Sequence, residues 1–457
     1  MRIGVCLHRS QVRSVRVEAD GALGSRSALL EAERDDGDGA LAAALGEVLA
    51  HHLASAEEAV TSVTFDVGAV LSRRPAPCRT FIRIAPRAPI DAVHEHPAEV
   101  LAGEEVKIVH IAGGHSNAGE ELVPFDTAAL ERWCAGAPRG GRYVITAVGS
   151  LANDGHERQA GQMLIDLVDP GSIQYSHSFH SSSVEVRERT AAVNSSLIDS
   201  AEEILGTVHS VLGRLLPATR LYVTTNEGGC HPLARLVVSP VHSLFAEASS
   251  ALVGAAALMG SVDGLVAVTT GWRTFYGQFV HRAPAVLPQF RTESGDALAT
   301  KVANLVDVDV GDLPDSAILV AEGDAPEHGH VDEDGAVGRR VLTGLSLCAL
   351  GAVVTPVADW AHRVVPGTSE AEVRASVRAL ESRVRARLVS FGAHDSRVEI
   401  LESGVEASTY DNSNMVSVRV RAIAFDPIPL VTEAALEGER GASVREAGRS
   451  DRAARTR

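Results

Sequence analysis

Leu221-Tyr222-Val223-Thr224-Thr225, followed by Asn226-Glu227-Gly228-Gly229, reads as a short buried strand running into a turn. Two adjacent glycines permit positive φ there. Downstream, Ala248-Ser249-Ser250-Ala251-Leu252-Val253-Gly254-Ala255-Ala256-Ala257-Leu258-Met259 is a helix almost free of bulk, able to lie close to a sheet or a second helix. Gly264-Leu265-Val266-Ala267-Val268 is a second strand, Thr270-Gly271-Trp272 a turn, and Phe275 to Val280 a third run. Strand, turn, close-packed helix, strand, turn, strand is the layout of an α/β nucleotide-type fold.

Working outward from that stretch, residues 2–18 predict two strands broken at His8-Arg9-Ser10, with a hairpin-type turn at Asp20-Gly21. Residues 40–59 predict an amphipathic helix through Leu41, Leu45, Val48, Leu49 and Leu53. Strands follow near Val60–Phe65, Arg79–Ile84 and Val106–Ile111. A helix opens at Asp126 or Thr127, then come a strand at Tyr143–Val148 and a helix at His156–Val168. Residues 184–216 carry a long helical pattern. Beyond Val280 the periodicity weakens until a helix at Ser369–Phe391 and strands at Val398–Leu401 and Val416–Ala424. We read the chain as 1–183, 184–330, a small C-terminal α+β unit at 331–432, and a disordered tail at 433–457 rich in Ala, Glu, Arg, Gly and Ser.

The totals bound the partners. At 457 residues the chain should hold two or three domains, and a 45% apolar fraction supports real cores. A formal net charge of −17 argues against a nucleic-acid backbone or an anionic membrane as partner. The 5 cysteines are far apart with no CxxC spacing, so neither a zinc finger nor a disulfide framework is predicted. No signal peptide or membrane span is read, and the expectation is a soluble cytoplasmic protein.

Several segments in order resemble the hydantoinase A/5-oxoprolinase family. Gly113-Gly114-His115-Ser116-Asn117-Ala118-Gly119-Glu120 through Pro124-Phe125-Asp126 is similar to its GGH…G…PLD element. Ala152-Asn153-Asp154-Gly155-His156-Glu157-Arg158 is similar to its N-P-x-H-E-x-R helix start. Ser176-His177-Ser178 and Glu185-Val186-Arg187-Glu188-Arg189-Thr190 resemble its S-H…R-E-Y-E-R-T segment, and Val253-Gly254-Ala255-Ala256 its V-V-G-A-A run. The likeness covers about residues 100–280. It implies a duplicated actin-like (ribonuclease-H-like) ATPase fold, with ATP and Mg2+ as cofactors. The reaction implied is ATP-dependent hydrolysis of a cyclic amide such as 5-oxoproline or a hydantoin, through phosphorylation of the amide oxygen, or ATP-dependent ketone carboxylation. A hydantoinase B-like partner subunit and an oligomer are implied as well.

The sequence departs from that family where phosphate and metal would be met. The first phosphate hairpin, D-x-G-G-T-F-T-D in the family, falls on Cys6, His8-Arg9, Ser10 and Arg13; the second falls on Thr269 to Tyr276. Only Gly271 survives of the hairpin glycines, and the acids are replaced. The S-G-P-A-G-G turn becomes Ala246-Glu247-Ala248-Ser249-Ser250-Ala251. The positions left to meet a nucleotide are Ser10, Gly228, Gly229, Gly271 and Thr274, and the expectation is impaired ATP use.

Other candidates carry their own chemistry. His115, with Glu120 and Glu121, offers acid/base groups in the best-kept loop, or else a turn held by its glycines. His177 and His180 could hold a metal or lie on a polar surface strand. Glu327-His328-Gly329-His330-Val331-Asp332-Glu333-Asp334 has metal-ligand types without a calcium-loop order. Cys230-His231 follows a double glycine with no orienting acid in sight, and Asp359, Trp360, His362 and Arg363 face a cleft or an interface. Two functions remain open: an enzyme subunit acting on cyclic amides or ketones, and a non-catalytic scaffold or regulatory subunit of a hydantoinase A/B-type complex.

Overall fold

A computed structural model describes residues 1–30, 37–54, 58–72, 78, 80–87, 106–260, 263–271, 273–292, 295–314, 316–322, 340–367, 369–407 and 415–425. The Glu327–Asp334 stretch, Trp272, the boundary drawn at residue 330 and the 433–457 tail lie outside them.

The chain begins with three antiparallel strands, Arg2–Leu7, Gln11–Val17 and Leu23–Leu29; β-branched residues recur at the buried positions of the first two. Ser62–Asp66 then pairs parallel to the first strand on its other edge, and Arg220–Thr224 parallel beyond that. The sheet continues through Cys230–Pro232 into Val357–Pro366, Met415–Ala424 and Val398–Ala407, reaching nine strands. The C-terminal unit expected at 331–432 thus shares its sheet with the N-terminal strands. Helix Gly37–Ala54 and the second half of the 32-residue helix Val184–Leu215 cover one face, packing Leu45, Leu49 and Val208 on Ile3, Val5 and Phe65.

A second sheet repeats the first arrangement. Gly264–Thr270 pairs antiparallel with Arg273–Val280, and that strand antiparallel with Ala283–Pro284 and Leu305–Asp307. Ile318–Glu322 runs parallel on the far edge of Gly264–Thr270, with Arg340–Thr343 parallel beyond it. Strand order and sense match those of the N-terminal five.

Between the two sheets lie helices Ala246–Leu258 and Leu347–Val354, and one core joins them: Val15, Leu252, Val268, Phe275, Val320 and Leu350. The small residues seen in the sequence set this distance. A Cβ on Gly254 would stand 2.2 Å from the Leu347 carbonyl oxygen, and one on Gly351 would stand 1.7 Å from that of Ser250. Backbone meets backbone here, which only glycine allows.

A third sheet, four parallel strands in the order Lys107–Ala112, Thr80–Ala85, Arg142–Ala147, Ser172–Tyr175, is inserted between Ser62–Asp66 and Arg220–Thr224. Helices Thr127–Cys134 and Gly155–Val168 pack with Ile82, Ile84 and Ile145. The first half of the long helix packs with Phe81 and Val144, and its buried Glu188 holds Arg83 through bonds of 2.9 and 2.6 Å. Asp126 caps the first of those helices, its carboxylate accepting from the Ala129 N–H at 2.9 Å, as the sequence predicts. Among the described residues no helix is long and apolar enough to cross a membrane.

Candidate functional site

The turn of each three-stranded hairpin opens on one cleft between the two sheets. A cavity of about 440 Å³ there is lined by Cys6, His8 and Arg13 from the first hairpin and by Thr270, Gly271 and Arg273 from the second. The tertiary structure thus brings together the two segments that the sequence aligned with the phosphate hairpins.

The cleft also holds carboxylates that hairpin alignment missed. Glu247 opens helix Ala246–Leu258, Glu322 ends strand Ile318–Glu322, and both line the cavity. Glu322 forms an ion pair with Arg13, and its other oxygen accepts the Leu347 N–H at 3.3 Å. Burial raises both carboxyls above the usual range; Glu322 adds to the effect at Glu247, and Arg13 opposes it at both. Behind them, Asp66 is fully buried at the end of strand Ser62–Asp66. Its Oδ2 accepts from Thr224 Oγ1 at 2.7 Å and Ser250 Oγ at 2.6 Å, and its Oδ1 from the Gly68 N–H at 3.3 Å. Burial pushes its carboxyl up to about 6 against these bonds. The acids missing from the hairpin turns therefore have counterparts, supplied by strand ends and a helix start whose convergence no local pattern announces.

A triphosphate cradle needs free backbone N–H groups aimed at the ligand. Here the His8 N–H already donates to Gln11 O at 2.9 Å, Arg13 and Glu322 engage each other, and Asp66 Oδ2 accepts from two hydroxyls. The residues present do not fit the glycine cradle that the family resemblance implies, and no reaction step through ATP is derived.

The other predicted nucleotide contacts scatter. Ser10 is exposed at the hairpin tip, with Oγ 3.5 Å from His8 Nδ1. Thr274 points into the sheet, its hydroxyl 2.9 Å from that of Thr269. Gly228 and Gly229 lie away from the cavity lining: a Cβ on Gly228 would meet Pro284 at 2.8 Å, and one on Gly229 would meet Ala358 at 2.3 Å. Their work is close packing. Gly271, at φ 56°, is exposed at the cavity rim.

The His115 loop draws in one of the two acids expected beside it, Glu121. The loop crosses Gly149, where a Cβ would fall 2.1 Å from the His115 carbonyl oxygen. His115 is buried and lies against His156, ring centroids 4.1 Å apart. His156 Nδ1 accepts the Gly114 N–H at 2.8 Å, which leaves the proton on Nε2, and Nε2 reaches Glu121 Oε1 at 3.1 Å. Burial and the neighbouring His156 lower the His115 pKa. Glu120 is exposed; its backbone N–H donates to Ser116 Oγ at 3.2 Å. The acid that joins the pair is Glu121.

The remaining candidates separate. His177 Nδ1 pairs with the buried Glu157, whose carboxylate also accepts from the Ala147 N–H and Ser176 Oγ. Burial alone would raise the Glu157 carboxyl; these bonds, led by His177, hold it below its usual range. His180 instead faces Trp360 and His362, so the two histidines share no metal. Arg187 donates to Ser181 O, Glu188 binds Arg83, and Arg189 binds Asp296 at 3.0 Å. Cys230 is buried, its Sγ 3.9 Å from Thr355 O, and it lines a different cavity from Cys6. Asp359 holds Arg387 at 2.6 Å beneath the Trp360–His362 strand.

Fold and cleft together define the class: a mixed α/β protein of several sheets with a polar, ligand-sized cleft between two of them. No family model matches the chain, and no curated protein matches it by sequence. Solved structures share its fold, among them the following two. The nucleotide-free structure of acetone carboxylase, an ATP-dependent acetone-carboxylating enzyme, superposes with a TM-score of 0.66 at 10% identity, over 94% of this chain and 88% of that one. The ATP-dependent caprolactamase of Pseudomonas jessenii superposes with a TM-score of 0.67 at 12% identity, over 94% and 88%.

Proposed function

We propose that the chain is a hydantoinase A/5-oxoprolinase-type protein made of two actin-like halves, whose cleft takes a small polar ligand but no longer runs the family's Mg·ATP cycle. In a hydantoinase A/B-type complex it serves as the scaffold or regulatory subunit. The repeated strand order in residues 2–224 and 264–343, each half followed by one of the two crossing helices, supports the duplication. The resemblance in residues 100–280 and the shared fold of two ATP-dependent enzymes support the lineage. The observation that carries the loss of ATP use is the Arg13–Glu322 ion pair in the cleft, where the resemblance asks for an open, glycine-lined turn. His115, backed by His156 and Glu121, is the proposed contact for a ligand or a hydantoinase B-like subunit.

Thermal denaturation of the full chain with Mg·ATP tests this reading. A site filled at a hundred times its Kd stabilises by about 2.7 kcal/mol. The expected result is an unchanged Tm up to millimolar Mg·ATP; a dose-dependent rise would refute the proposal. The second reading, an active ATP-dependent enzyme on a cyclic amide or ketone, draws on one observation: Glu247 and Glu322 line the cleft, with the Asp66 carboxyl buried behind them.

A further inference from the structure

We propose that Cys6, Asp66 and Cys348 form a zinc site with an open fourth position facing the cleft. The two sulfurs and a carboxylate oxygen of Asp66 all lie within 4.8 Å of one another, and all three residues are buried. They come from three elements far apart in sequence: the first strand, the end of strand Ser62–Asp66 and the first turn of helix Leu347–Val354. No spacing motif could have revealed them. Zinc–sulfur bonds of about 2.3 Å and zinc–oxygen bonds of about 2.0–2.2 Å place tetrahedral ligand atoms about 3.5–3.8 Å apart. The observed spacing closes to that with small side-chain movements.

Two further observations point to a cation. First, Asp66 is oriented as a metal carboxylate is: the Thr224 and Ser250 hydroxyls both bind Oδ2, leaving Oδ1 with a lone pair beyond its 3.3 Å bond from Gly68. Second, the carboxylates of Glu247 and Glu322 line the same cavity as Cys6 and Cys348, with Arg13 paired to Glu322. Two thiolates and a carboxylate select zinc over magnesium, which prefers an all-oxygen octahedron. Cys6 and Cys348 line the cavity while Asp66 lies behind them, so the fourth position opens toward His8 and Arg13. A water or an oxygen of a cleft ligand would complete the shell. This site does not depend on whether the cleft binds a nucleotide.

The test uses the full chain, reduced and stripped with a chelator, titrated with Co2+ and then Zn2+ in the absence of nucleotide. One equivalent of Co2+ should bind with thiolate-to-cobalt charge-transfer absorption and intense tetrahedral visible bands, and Zn2+ should displace it. X-ray absorption of the zinc-loaded wild type should show two sulfurs at about 2.3 Å and lighter ligands completing the shell. Cys6→Ser and Cys348→Ser should each remove about half of the charge-transfer intensity, and Asp66→Asn should weaken binding at least tenfold while keeping both sulfurs. The wild-type spectra decide the matter even if a variant fails to fold. Cobalt without charge transfer, a zinc shell of oxygen and nitrogen alone, or a Cys6–Cys348 disulfide in the chelator-treated protein before reduction would each overturn the proposal.

Discussion

Lowering the pH from 7 to 5 should destabilise this protein through a set of buried imidazoles. His180 and His242 lie against Trp360 and His231 against Phe391, and burial pushes the pKa values of His180, His231 and His242 down to about 3, 3 and 4. Nearby Arg235 and Arg387 add to the effect. The folded state keeps these rings neutral, while the unfolded chain protonates them below about pH 6.5. Stability is therefore full above that pH and falls as the pH drops toward the folded pKa values. At pH 5 each ring costs about 2 kcal/mol, so the three cost about 6 kcal/mol. Asp66 and Asp359 work the other way, since burial raises both to about 6. Their penalty eases as they protonate, returning about 1.3 kcal/mol each over the same interval. Across these five groups the net loss is about 3–4 kcal/mol, and His52 and His362, which burial lowers to about 4, add to it. Urea unfolding followed by tryptophan fluorescence suits the measurement, because Trp360 lies 5.1 Å from His180 and 6.1 Å from His242, ring to ring. His242→Gln, which keeps a partner for Thr300 Oγ1 at 2.9 Å, should flatten the dependence by about 1 kcal/mol per pH unit. A stability that is level between pH 7 and 5, or a variant as pH-sensitive as the wild type, would refute the reasoning.

Gly254→Ala should destabilise by about 1–3 kcal/mol or more, since the new methyl meets the fixed Leu347 carbonyl and overwhelms the gain of about 1 kcal/mol in helix propensity; a raised Tm would contradict the backbone contact. Glu188→Gln strips the charge partner from buried Arg83, with an expected cost of about 3–5 kcal/mol in equilibrium unfolding. His156→Ala removes the acceptor of the Gly114 N–H and the link to Glu121; amide exchange of residues 113–122 should rise while the Gly264–Thr270 strand stays protected.

The sequence by itself determined the elements and their class. Alternation placed the strands on either side of His8-Arg9-Ser10, and small residues foretold a helix packed without bulk, because side-chain period and size are local properties. It also located the two hairpins that border the cleft. It could not choose Glu121 over Glu120, since adjacent acids differ only in which way a finished loop turns them. Nor could it show Gly228 and Gly229 as packing contacts, since Pro284 and Ala358 lie over 50 residues beyond them. The acids of the cleft were illegible for the same reason. Asp66, Glu247 and Glu322 stand far apart along the chain and converge only when the two sheets close on helices Ala246–Leu258 and Leu347–Val354. Which charges face one another, and which are stripped of water, is decided by that closure, because burial and proximity are properties of the packed chain alone.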